Sequence, residues 1–195
     1  RDIEKLISVE QREAEVGAEL LTYLEEIGAE LRTAVVVPTL FGSVDALTDA
    51  LETIEAQYLA NRDPHLHFAI LSDFTDAPTP RQPADAAILD AAVRGVRALN
   101  ARYAPESDDA FFLFHRDRQW NEAQGVWMGW ERKRGKLSQF NRFLRADADD
   151  RGAFSTIVGA VTSLRGVRYV ITLDADTVLP PDAASLLIGT LAHPL

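Results

Sequence analysis

The chain has 195 residues, with 20 Lys+Arg against 30 Asp+Glu for a formal net charge of −10, and 47% of it is hydrophobic. That profile is an ordinary globular domain, long enough to bury a core without a covalent staple. The absence of cysteine excludes disulfides, thiol catalysis and thiolate metal sites, and the acidic balance argues against nucleic acid as the main partner. No apolar run approaches the ~20 residues that span a bilayer, and nothing at the start resembles a signal peptide. The chain opens on Arg1 rather than Met and reads as a piece of a larger parent, in which any membrane spans would lie elsewhere.

Residues 1–32 have helical periodicity: Leu20, Leu24, Ile27 and Leu31 share one stripe, with Glu13, Glu15, Glu19, Glu25, Glu26 and Glu30 mostly off it. The stripe is either a docking helix or a solvated helix covering the core edge. Ala34-Val35-Val36-Val37, ended by Pro38, predicts a strand buried on both faces. Ser43 and Asp45 can cap a helix carrying Leu47, Leu51, Ile54 and Tyr58. A second strand, Phe68 to Leu71, ends at Ser72-Asp73. After a Pro-rich loop over 78–83 comes a helix with Ile88, Val93, Val96, Leu99 and Tyr103 inward. Phe111 to Phe114 predicts a third strand, Leu137 to Leu144 a helix, and Tyr169 to Leu173 a last strand running into Asp174. An acidic loop, Asp147 to Asp150, lies between those last two. Strands alternating with helices predict an α/β fold with a mostly parallel sheet flanked by helices.

Ligands of such sheets sit beyond the carboxyl ends of the strands. Those ends are Pro38-Thr39-Leu40-Phe41, Ser72-Asp73, His115-Arg116 and Asp174-Ala175-Asp176. Two carboxylates at i and i+2 on a strand end suit a hard divalent cation, and Mg²⁺ is usually held by one or two carboxylates plus substrate phosphates. The plain alternative is that Asp174 and Asp176 begin a loop and cap the helix announced by Pro180-Pro181-Asp182. Asp73 could accept hydrogen bonds from a nucleobase or a ribose, or be a turn residue ahead of Asp76, Pro78 and Pro80. Residues 116–145 carry eight Arg and Lys against Asp117, Glu122 and Glu131, a local positive field that suits a small anion. Gly135-Lys136 ahead of a helix resembles an anion site with free N–H groups. Trp120, Trp127 and Trp130 could stack on sugar rings or form a local core. His65 and His67 could share a strand face toward zinc, but no third ligand is near in sequence.

The order of these pieces resembles family-2-like glycosyltransferases with the GT-A fold. The matching stretches are Val37-Pro38-Thr39, Ser72-Asp73, Gly135-Lys136-Leu137-Ser138-Gln139-Phe140-Asn141 and Leu173-Asp174-Ala175-Asp176-Thr177, covering about residues 33–195. Within that clan, 65–74 and 127–136 look like the glycosyltransferase region of cyclic β-1,2-glucan synthases, with osmoregulated-glucan glucosyltransferases next. The resemblance divides the chain into an N-terminal helix, 1–32, and the nucleotide-sugar-binding part of the domain, 33–195. It implies a large bacterial inner-membrane parent whose synthase domain faces the cytoplasm, uses UDP-glucose and extends a glucan acceptor.

By that resemblance Asp73 reads the uracil with Thr39 beside it, Lys136 approaches the diphosphate or donor sugar, and Asp174 and Asp176 hold Mg²⁺ or Mn²⁺. Two departures stand out. Many relatives carry an aromatic-Asn-Glu after the first-strand proline, where this chain has Thr39-Leu40-Phe41-Gly42. The family's catalytic base and its Gln-x-x-Arg-Trp element lie well beyond the Asp-x-Asp, and nothing after Asp182 is acidic. No catalytic residue is therefore expected here, and the isolated piece is expected not to transfer glucose. A rival enzyme class is a haloacid-dehalogenase-type phosphatase, since Asp174-Ala175-Asp176-Thr177-Val178 also fits its nucleophile motif. That class needs a downstream Lys, and none follows Val178. The non-enzyme alternative is a nucleotide-sugar-binding or purely structural piece without turnover.

Overall fold

A computed structural model describes residues 28–145 and 152–192. The stripe residues Leu20, Leu24 and Ile27 and the acidic loop 147–150 lie outside them. Leu31 is described: it is buried, at the end of a short 3-10 turn, Ala29–Leu31.

Among the described residues, five strands form the main sheet. β1 (Thr33–Phe41), β2 (Leu66–Phe74), β3 (Phe111–Arg116) and β7 (Tyr169–Thr172) run parallel, and β6 (Thr156–Val158) is antiparallel to β3, in the order β6-β3-β2-β1-β7. The expected α/β class with a mostly parallel, Rossmann-like sheet is what the chain adopts. A separate hairpin pairs β4 (Gln119–Asn121) with β5 (Val126–Met128). Neither the hairpin nor β6 is signalled by the sequence.

Strand parity assigns every inward side chain to one of two faces. Val35, Val37, Phe68, Ile70, Phe111 and Leu113 meet helices α1 (Val44–Ala60), α2 (Asp85–Tyr103) and α4 (Ala183–Ala192). Ala34, Val36, Ala69, Leu71, Phe112 and Phe114 meet α3 (Arg132–Arg145) through Phe140, together with Phe154 and Leu164. Both faces of the sheet are covered, which is why its strands read as continuous apolar runs. Ser43 caps α1 as expected, its Oγ accepting from the Ala46 N–H at 3.1 Å.

Two boundaries differ most from expectation. β1 runs through Pro38 to Phe41. The Leu173 N–H donates to the Val36 carbonyl at 3.0 Å, so Val36 faces β7. Pro38, two residues on, faces the same side beyond the last β7 partner, where its missing N–H breaks no ladder bond. Helix α3 starts at Arg132 rather than Leu137. Three cations in a first turn oppose the helix dipole, so composition gave no start signal there.

Candidate functional site

The parity that builds the core also builds the site. Asp73 follows Ala69 and Leu71 on the α3 face of β2, and Arg116 follows Phe112 and Phe114 on the same face of β3. The two are register partners. Arg116 grips the carboxylate with both edges of its fork, Nε to Oδ1 at 2.7 Å and Nη2 to Oδ2 at 2.8 Å, a bidentate pair 1–3% exposed. Its remaining N–H groups donate to the Trp130 carbonyl at 3.1 Å, the Arg132 carbonyl at 3.2 Å and Gln139 Oε1. All five guanidinium donors are thus satisfied.

Lys136 completes the cluster. Its Nζ lies 3.0 Å from Asp73 Oδ2 and donates to the Thr39 carbonyl at 2.8 Å. Burial pushes its ammonium below the ordinary lysine range, against the opposing pull of Asp73. The expected trio of Thr39, Asp73 and Lys136 is therefore brought together, with Thr39 contributing its backbone oxygen. The Thr39 hydroxyl turns back to the Val37 carbonyl at 3.2 Å. Arg116, named by sequence only as a strand end within a basic stretch, is the member that composition could not pair with Asp73. The signal lay in register, since both residues close strands that turn out to be neighbours.

Residues 129–132 wrap the cluster. A Cβ on Gly129 would fall inside the Asp73 carboxylate, so only glycine permits this approach. Glu131 and Arg132 follow with φ of 47° and 46°, a strained left-handed pair that the Arg116 bonds on either side hold in place. The expectation of free N–H groups at Gly135-Lys136 is corrected. Both residues lie within α3, the Gly135 N–H donates to the Glu131 carbonyl at 3.1 Å, and the Lys136 side chain is spent inside the cluster.

Asp174 and Asp176 lie just past the end of β7, whose Thr172 pairs with Val36 of β1, so they share the carboxyl edge with Asp73. Both are exposed. The Asp174 carboxylate forms an ion pair with Lys133 Nζ. Lys133 and Lys136, one turn apart on α3, therefore reach the two acidic strand ends. Two exposed carboxylates on a strand-end turn, closed by Thr177 N–H to the Asp174 carbonyl at 2.9 Å, are a donor pair that could hold a hard divalent cation completed by ligands from outside the chain. No cluster of three or more His, Asp or Glu that could hold a metal occurs among the described residues.

The other motifs resolve differently. His67 is buried at the opposite end of β2, with Nδ1 2.7 Å from the Asp109 carbonyl and its pKa lowered by burial. No zinc set gathers around it among the described residues. A cavity of about 420 Å³ at that end, lined by Tyr58, Arg62, His67, Tyr103 and Asp109, is remote from the strand-end acids. The core reading of the tryptophans is corrected for two of the three: Trp120 is 52% and Trp130 41% exposed. No helix among the described residues is long and apolar enough to cross a membrane.

No known family's sequence profile matches the chain. Over 173 residues, 89% of its length, it is 46% identical to the cyclic beta-(1,2)-glucan synthase NdvB of Rhizobium meliloti (strain 1021). The chain spans about 6% of the length of that curated relative, so what it resembles is one segment of a much larger glucan synthase.

Proposed function

We propose that the chain is the donor-binding part of a GT-A glucosyltransferase domain, which uses UDP-glucose to extend a β-glucan by inverting transfer within a membrane-bound parent. The observation that carries this reading is the helix α3, which presents Lys136 to Asp73 and Lys133 to Asp174 across one carboxyl edge of a parallel sheet. That edge is where open α/β sheets bind nucleotides. Similarity to a glucan synthase supports glucan as the product class.

In this reading the uracil docks beside Asp73, whose carboxylate Arg116 and Lys136 hold at the strand end. Lys136 and Lys133 set a positive field for the diphosphate. Asp174 and Asp176 would hold a divalent cation, which would supply neutralisation of the departing diphosphate. The acceptor hydroxyl is deprotonated by a base from the remainder of the parent, so the share of this chain is to bind and orient the donor.

Calorimetric titration of the chain with UDP, with and without Mn²⁺, tests the reading. Binding should be weak and metal-dependent, because two carboxylates repel a diphosphate until a cation lies between them. Asp176→Asn should weaken it by about 1–3 kcal/mol, the cost of a lost charge-assisted contact. Asp182→Asn, at the start of α4, should leave it unchanged. Equal affinity with and without metal would remove Asp174 and Asp176 from the site.

A further inference from the structure

We infer that the β4–β5 hairpin is a saccharide platform, on which Trp120 and Trp127 stack the glucose rings of a neutral β-glucan beside the donor site. The choice of glucan as ligand rests on the function proposed above; the platform itself is read from the hairpin.

Trp120 and Trp127 are direct cross-strand partners, so both indoles project from one face of the hairpin. Their ring centroids are 5.8 Å apart and the planes are tilted by 55°. The opposite face is anchored: Met128 is buried, and Asn121 Nδ2 lies 3.3 Å from its sulfur. The backbone is fixed as well, by paired bonds of 2.9 Å each way between Trp127 and Ala77. Two touching indoles on an anchored hairpin, one of them half exposed, form a contiguous apolar surface left to water rather than a single scattered side chain.

Position and polarity select the occupant. Trp127 is two residues from Gly129, which abuts the Asp73 carboxylate, so about 7 Å of extended backbone separates platform from cluster. Glu122 is the sole charge between Gln119 and Met128, which fits an uncharged ligand. The loop of the hairpin is bordered by Arg132, whose Nη2 reaches Asp76 Oδ2 at 2.6 Å and Gln124 Oε1 at 3.3 Å. Carboxylate, guanidinium and amide groups at the hairpin loop, with indoles on the face of the same hairpin, match what a β-linked glucose chain offers, with apolar C–H faces and hydroxyls around the ring edge.

Titration of the chain with a β-(1,2)-linked gluco-oligosaccharide, followed by tryptophan fluorescence and calorimetry, tests the platform, with an α-linked malto-oligosaccharide as comparison. The expected result is binding that Trp120→Ala weakens by about tenfold and Trp120→Phe by less, as loss and shrinkage of one stacking face require. Leu59→Ala, an equally exposed apolar site at the far end of α1, should change nothing. Because Trp120 is exposed, its variants keep the fold, and unchanged UDP–Mn²⁺ affinity in Trp120→Ala verifies this. Saccharide binding that is absent, or indifferent to Trp120→Ala, overturns the platform while leaving the donor reading intact. Dimerisation lost in Trp120→Ala, without saccharide binding, assigns the face to a second copy and also overturns it. Saccharide binding without UDP binding supports the platform and fails the donor reading.

Discussion

Asp73 and Arg116 stand opposite one another in the register of β2 and β3, 43 residues apart in sequence, and meet as a buried bidentate ion pair. With Lys136 3.0 Å from the same carboxylate, the cluster holds two cations and one anion. The excess positive charge sits at the edge of the sheet where the strands end. A buried pair of this kind is weak evidence for stability by itself, since desolvation offsets the attraction, but removing one member leaves the others stranded.

Arg116→Ala should therefore destabilise the chain by about 3–5 kcal/mol, the range for breaking a buried pair. It frees the Trp130 and Arg132 carbonyls as well as Asp73. Arg116→Lys keeps the charge but not the fork, and should recover only part of the loss. Chemical denaturation measures both. A loss below about 1 kcal/mol for Arg116→Ala, the level of a surface pair, would show that the cluster does not hold this edge together.

Gly129→Ala should cost about 1–3 kcal/mol, as overpacking does, because its Cβ must displace the Asp73 carboxylate. The same substitution should weaken UDP binding if Asp73 contributes to it. Denaturation and titration of one protein sample separate the two effects. A fully stable Gly129→Ala protein would mean that the 129–132 segment can back away from the cluster.

The apolar strands were legible in sequence because residues such as Val35 and Val36, or Phe111 and Phe112, are buried on opposite faces of one sheet. β6 and the hairpin were not legible. Three-residue strands such as Thr156-Ile157-Val158 and Gln119-Trp120-Asn121 are too short to show a period. Of the candidate site, each strand-end acid was visible locally as a charge closing an apolar run. The pairing of Asp73 with Arg116 was not, since it depends on which strands become neighbours. Sequence marks Lys136 as part of an anion site with free N–H groups; burial against Thr39 and Asp73 is a tertiary fact that helix propensity does not carry.

His115 makes the chain acid-sensitive. Its ring is buried between Phe41 and Phe74, with Nδ1 2.8 Å from Ser72 Oγ. Burial lowers its pKa to about 4, with the charges of Asp117 and Asp73 opposing and Lys136 assisting. The unfolded chain, with a histidine pKa near 6.5, binds the proton first, so stability is complete above that pH and falls as pH drops. By pH 4 the loss from this group is about 3 kcal/mol by linkage. Denaturation between pH 7 and 4 should show it, and His115→Gln should flatten the acid limb. An imidazole that titrates near 6.5 in the folded protein by NMR would refute the assignment.

Lys133 should behave unlike Lys136, although one turn of α3 separates them. Its ion pair with Asp174 is half exposed on both sides, so solvent screening limits it to less than about 1 kcal/mol. Lys133→Ala should leave the denaturation midpoint nearly unchanged, whereas Lys136→Ala strands a buried carboxylate between fewer donors and should cost several times more. The ammonium of Lys133 nevertheless occupies Asp174, one of the two carboxylates assigned to the divalent cation. Removing that competitor should raise the affinity for Mn²⁺ alone by about three- to fivefold, the equivalent of about 1 kcal/mol. Electron paramagnetic resonance of free Mn²⁺ measures this without nucleotide or turnover. The gain should vanish in Lys133→Ala/Asp174→Asn, because the carboxylate that the lysine guarded is then gone. If Lys133→Ala binds Mn²⁺ no better than the parent chain, Asp174 is a helix-pairing residue rather than a metal ligand, and the cation must be held elsewhere.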